Sequence, residues 1–115
     1  MVLGDADKEV LVAQLRRGVL EYCVLALLRN GEQYGVELAR RLGSMDALAT
    51  SEGTLYPLLS RLRRRGLVST EWRESPMGPP RRYYSLTPEG RNTLAGFSTE
   101  WATFRRAVDQ LMEGE

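Results

Sequence analysis

The chain has 115 residues, a formal net charge of +1, one cysteine and no histidine. This length holds one domain with a modest core, and the lone Cys23 excludes an internal disulfide framework and fits a reducing compartment. Without histidine the usual general base and the commonest metal ligand are missing, so no metal, cofactor or catalytic site is expected.

No apolar run is long enough to cross a bilayer, and the opening "MVLGDADKEV" carries acids where a secretory signal needs an apolar stretch. A cytoplasmic protein with no membrane partner is expected. The charge is unevenly spread. Residues 29–82 hold ten Arg against six acids, a balance of +4, whereas residues 1–28 carry −1 and residues 83–115 carry −2. Fifteen of the sixteen basic residues are Arg, whose planar fork suits phosphate, although a GC-rich genome also raises Arg over Lys.

In chain order, residues 5–15 predict a helical extension with Val10, Leu11 and Leu15 apolar. Residues 16–29, "RRGVLEYCVLALLR", are apolar on more than one face, as in a central core helix, and Asn30–Gly31 ends it. Cys23 in that helix is expected to be inert. Residues 33–42 predict a short helix with Val36, Leu38, Ala39 and Leu42 inward and Gly43 as its C-cap. A third helix follows over about 51–65, closed by Gly66. Three helices with short connections in this order make a helix-turn-helix unit.

In the third helix Leu55, Leu58, Leu59 and Leu62 recur at the spacing of one buried face. The opposite face carries Glu52, Tyr56, Ser60, Arg63 and Arg64, and the N-terminal end carries Ser51, Gly53 and Thr54. Small, polar or flat side chains at the start and arginines at the end suit a recognition helix, which approaches base edges first and holds phosphates further on. Pro57 fits in one of two ways. The helix starts near Thr54, so the missing N–H falls in the first turn, or it starts at Ser51 and the Gly53 carbonyl loses its usual donor. Arg65, near the helix end, also suits the dipole.

The apolar period then changes to two. Residues 67–72 and 81–86 predict an antiparallel hairpin, with Gly78, Pro79 and Pro80 expected in the loop and Met77 at its tip. Trp72 and Tyr84 are expected to pack within the wing and core. "TPEG", 87–90, starts a last helix, where Thr87 can cap and Pro88 suits the first position. Along it Leu94, Phe97, Trp101, Phe104, Val108 and Leu111 are spaced 3, 4, 3, 4, 3, a heptad seam. Such a row should pack on the same helix or the N-terminal helix of a second subunit, joined by Leu11 and Leu15. The expected fold is mainly α with a β-hairpin, a winged helix-turn-helix plus a long C-terminal dimerisation helix. Residues 1–88 form the extension and DNA-binding domain, and residues 89–115 the dimerisation helix.

The segments "RRGVLEYCVLALL", "YGVELARRL", "SEGTLYPLLSRLRRRGLV", "GPPRRYYSLTPEGR" and "EWATFRRAVDQL" together resemble the PadR family of bacterial transcriptional regulators. The resemblance implies a homodimeric repressor that binds inverted repeats in double-stranded DNA. It puts Tyr34, Thr54 and Tyr56 at DNA-facing positions and Arg81 and Arg82 at the base of the wing. It also implies, by analogy with some small members, that Trp101, with Phe97 beside it on the seam, lines a pocket at the dimer centre for a flat, apolar effector. The competing expectation is a winged-helix module for protein–protein contact, with only non-specific DNA binding.

Overall fold

A computed structural model describes residues 2–114. The elements are α1 (Asp5–Arg17), α2 (Leu20–Leu27), β1 (Gln33–Tyr34), α3 (Gly35–Gly43), a 3-10 turn (Asp46–Leu48), α4 (Glu52–Arg64), β2 (Val68–Ser75), β3 (Gly78–Leu86) and α5 (Pro88–Met112). The helices and the hairpin follow in the predicted order. The strands form one antiparallel sheet in the order β1-β3-β2.

The core sits between α2, α3 and α4. Val24, Leu25, Leu28, Leu38, Leu42, Leu55, Leu59 and Leu62 are fully buried. Burying a leucine side chain contributes roughly 1.5–3 kcal/mol, so this cluster fixes how the three helices meet. α4 is bounded sharply at both ends. The Ser51 Oγ accepts a hydrogen bond from the Thr54 N–H at 3.2 Å. At the other end Gly66 takes a left-handed φ of 76°, and the N–H groups of Gly66 and Leu67 donate to the Arg63 and Leu62 carbonyls, each at 3.0 Å. This Schellman closure needs a residue without Cβ strain at Gly66.

Pro57 lies inside α4, which starts at Glu52 and continues to Arg64. The second of the two alternatives therefore applies. The Gly53 carbonyl loses its usual donor, and Gly53 is exposed, so water can take that place.

Five expectations are corrected. Residues 16–29 are not one helix: Arg16 and Arg17 end α1, and Val19 sits at φ −122°, ψ −11° before α2 begins. Gly18, a poor helix former, marks the break. Residues 33–34 are a strand instead of a helix start, pairing Gln33 with Tyr84 and Tyr34 with Tyr83. Val36 is exposed, because the inward row of α3 runs through Gly35, Leu38 and Leu42. Gly43 is the last residue of α3, and Ser44 is the C-cap. Gly78, Pro79 and Pro80, expected in the loop, belong to β3, where the register shifts between Arg73↔Arg81 and Ser75↔Gly78. An irregular stretch of ladder is where a strand tolerates proline.

α5 is rooted by its first turns. The Thr87 Oγ1 accepts from the Gly90 N–H at 3.0 Å and donates to the Gly66 carbonyl at 2.7 Å. Leu94 is 7% exposed and belongs to the core of its own chain. A Cβ on Gly90 would lie 2.1 Å from the Leu67 carbonyl oxygen, whereas a Cβ on Gly96 would meet nothing within 4 Å. Gly90→Ala is expected to destabilise by about 1–3 kcal/mol. Gly96→Ala, at an open helical position, is expected to stabilise by about 0.5–1 kcal/mol. Thermal or urea melts of the two variants check this pair of opposite signs.

Candidate nucleic-acid interface

With its leucine row buried, α4 turns the opposite face to solvent. Glu52, Gly53, Thr54, Tyr56, Arg61, Arg63 and Arg64 are exposed, and Ser60 is half-buried. Ser51 is exposed too, but its hydroxyl is engaged in the cap and donates to the Thr54 Oγ1 at 3.2 Å. The arginines differ in their partners. Arg65 pairs with Glu21 of α2 at 3.0 Å. Arg61, Arg63 and Arg64 form no ion pair among the described residues, so their charge faces outward uncompensated.

Tyr56 leans over the start of α3, where a Cβ on Gly35 would lie 2.6 Å from its Cε1. Close approach of the ring requires glycine there. Burial, followed by the nearby Glu52 and Tyr84, pushes the Tyr56 phenol above its ordinary value.

The wing is a lattice of arginines on aromatic faces. The Arg81 guanidinium lies 4.5 Å from the Tyr34 ring centroid, and the Arg82 guanidinium lies 5.6 Å from that of Trp72. Tyr34 also meets Tyr83 edge-on at 5.6 Å, and its backbone N–H donates to the Glu37 carboxylate at 3.0 Å. Arg81 and Arg82 are neighbours in β3, so their side chains point to opposite faces of the sheet. The Arg82 Nε is buried without a hydrogen-bond partner. Trp72, expected to pack inside, is 64% exposed, and Met77 at the tip is almost fully exposed.

A third arginine on the wing escaped the sequence reading. Arg73 binds both carboxylate oxygens of Glu32 and donates to Glu71 at 2.7 Å. Strand alternation could have placed Arg73 on the Tyr83 face, but no local signal points to Glu32, which lies 41 residues away in sequence.

A second feature lies away from this face. α1 and α5 bound an apolar groove of about 840 Å³, lined among others by Leu15, Val19, Tyr22, Phe97, Trp101 and Phe104. Tyr22 stacks on Phe97 at 4.3 Å and 6°, Phe97 on Trp101 at 5.8 Å and 15°, and Trp101 on Phe104 at 6.4 Å and 20°. Trp101 and Phe97 thus share a groove, together with Tyr22, which had been read only as part of a core helix. Val108 also lines the groove, whereas Leu11 and Leu111 are exposed outside its lining. Burial pushes the neighbouring Cys23 thiol up, which leaves little thiolate.

A helix-turn-helix with a β-wing and an uncompensated arginine face on its third core helix defines a DNA-binding transcriptional regulator. Comparison with known proteins identifies which kind. Residues 24–96 match the transcriptional regulator PadR-like family, and the chain belongs to that family. It is 34% identical to a PadR family transcriptional regulator from Eggerthella lenta, with 96% of each chain covered and a TM-score of 0.86. It is 36% identical to a PadR-like transcriptional regulator from Bacillus cereus, covering 89% of this chain and 99% of that one, with a TM-score of 0.79. A transcriptional regulator of Mycobacterium tuberculosis is 36% identical over 98 residues, 85% of this chain and 83% of that protein. Members of the family are DNA-binding transcriptional regulators, not enzymes. No helix among the described residues is long and apolar enough to cross a membrane.

The raised pKa of Tyr56 carries a sign. A phenol held neutral in the fold adds stability that is present below its ordinary pKa of about 10 and is lost as pH rises through the higher folded value. Thermal melts on the alkaline side should therefore fall less steeply for Tyr56→Phe than for the wild type.

Proposed function

We propose that this protein is a homodimeric repressor that binds an inverted-repeat operator and is released by a flat, apolar small molecule at the dimer centre. In this reading residues 1–88 form the N-terminal extension, which joins the dimer interface, and the DNA-binding domain, and residues 89–115 form the dimerisation helix. Two α4 helices enter successive major grooves about 34 Å apart, one helical turn, while the wings touch flanking backbone. Thr54 and Tyr56 face base edges. Arg63, Arg64, Arg81 and Arg82 hold phosphates, and Tyr34 stands at the backbone beside the start of α3. Occupying a promoter in this way blocks it.

The observation that carries the reading is the uncovered apolar surface of the two outer helices. α1 spans 13 residues and buries none of them. On α5, Trp101, Phe104, Val108 and Leu111 are 40%, 64%, 40% and 77% exposed. A helix of α1's length is marginal in water without tertiary packing. A second copy supplies that packing symmetrically, because the same row then meets itself or α1 of the partner. The aromatic stack in the groove suits a flat apolar guest. Such a guest shifts the spacing of the two α4 helices only as far as it binds the two arrangements differently.

Three experiments test this. Fluorescence anisotropy with DNA flanking the protein's own gene, against a scrambled duplex, should show at least about 100-fold preference at physiological salt. Arg63→Ala and Arg64→Ala should each reduce the slope of log K against log salt by about 0.9. Arg65→Ala, whose charge is shared with Glu21, should reduce it less. Equal binding to both duplexes would instead favour a protein partner. For the assembly, sedimentation should show a dimer for the wild type and a monomer for Phe104→Glu. In the wild type, a flat aromatic dye should quench Trp101 and weaken DNA binding together.

A further inference from the structure

Three arginines stand on the wing, and they are not equivalent. Arg81 and Arg82 rest on aromatic rings and form no ion pair among the described residues, whereas Arg73 faces two carboxylates. The side chain of Arg73 leaves β2 and lies across β3, with its guanidinium 4.7 Å from the Tyr83 ring centroid. On the far side it reaches Glu32, just before β1, where two of its nitrogens meet the two carboxylate oxygens. We propose that Arg73 is a positioning residue, a strap over β3 that ties the wing to the segment leading into α3 and so sets where Arg81 and Arg82 stand relative to α4.

Three observations carry this. First, the strap sits at the outer end of the regular ladder, at the Arg73↔Arg81 pair, immediately before the register shift. A two-stranded hairpin beyond that point is weakly held by its own hydrogen bonds. Second, the sheet offers little other restraint there. β1 is two residues long and pairs only with Tyr83 and Tyr84, so beyond that pairing the outer wing reaches the α3 side through the strap and through the stacking of Arg81 on Tyr34. Third, the charge of Arg73 is already met by Glu32 and Glu71, which leaves little attraction for a phosphate. An exposed ion pair contributes little to global stability. A bidentate pair with a second carboxylate and a ring beneath it instead fixes direction.

The strap matters to binding only if the wing touches DNA, so it rests on the proposed reading. It makes an unusual prediction of sign. Removing an acid near a DNA-binding face should, by charge alone, tighten binding. If Glu32 instead holds the strap, Glu32→Gln should weaken it.

The experiment measures salt-dependent anisotropy of full-length variants on the tightest duplex that the wild type selects from a random-sequence library. Glu32→Gln and Arg73→Ala should each weaken binding by roughly fivefold or more, and the double variant should be no weaker than Arg73→Ala alone. Without the strap the wing must be ordered on binding but keeps its phosphate contacts, so the salt slope of Arg73→Ala should match the wild type, while Arg81→Ala and Arg82→Ala should each flatten it. Matching melting temperatures would show that all variants fold. Tighter binding by Glu32→Gln, or a slope for Arg73→Ala lower by about one contact, overturns the strap and makes Arg73 a phosphate ligand. If Glu32→Gln and Arg73→Ala bind as the wild type does, the strap is overturned as well. The slopes of Arg81→Ala and Arg82→Ala then tell whether the wing contact itself has failed.

Discussion

Four leucines of α4 hold the rest of the molecule in place. Leu55, Leu58, Leu59 and Leu62 are at most 4% exposed, and they pack with Val24, Leu25, Leu28, Leu38 and Leu42 of the two preceding helices. A helix whose one face is sunk this deeply cannot rotate about its axis. The side chains at the intervening positions are therefore committed to solvent. That one constraint turns a stretch of sequence into a presented surface, with Gly53, Thr54 and Tyr56 toward its beginning and three unpaired arginines toward its end.

The ends of α4 pass the constraint on. The left-handed Gly66 turns the chain directly into β2, so the wing's origin is fixed relative to α4. Thr87 then returns to the same point. Its hydroxyl donates to the Gly66 carbonyl, and its N–H donates to that of Leu67. α5 leaves from this junction, with Gly90 allowing the Leu67 carbonyl to approach. The helix that carries the apolar seam is thereby tied, through two residues, to the C-terminus of α4.

Electrostatics divides the arginines by what they face. Those with a carboxylate in reach, Arg65 and Arg73, join elements of the same chain. Arg61, Arg63, Arg64, Arg81 and Arg82 form no ion pair among the described residues, so their charge stays uncompensated. A near-zero net charge thus coexists with a positive middle, +4 over residues 29–82, because residues 1–28 carry −1 and residues 83–115 carry −2.

The sequence by itself determined the order of the three core helices, the hairpin and the last helix, the leucine face of α4, its closure at Gly66, and the apolar seam of α5. All of these rest on local periodicity or on the chemistry of one turn, which are properties of neighbouring residues. Tertiary structure decided what depends on distant ones. β1 is too short to show a period and exists only because β3 lies beside it. Leu94 continues the seam in sequence but is taken up by its own core, since α5 is still against α2 at that height. Trp72 reads as a packing residue and stands exposed, because the hairpin extends past the helices that would cover it. Arg73 and Glu32 meet only after the sheet has formed, and Tyr22 joins the groove only once α5 crosses α2. A pattern one element long can be read from its own residues; a contact between elements appears only when the fold brings them together.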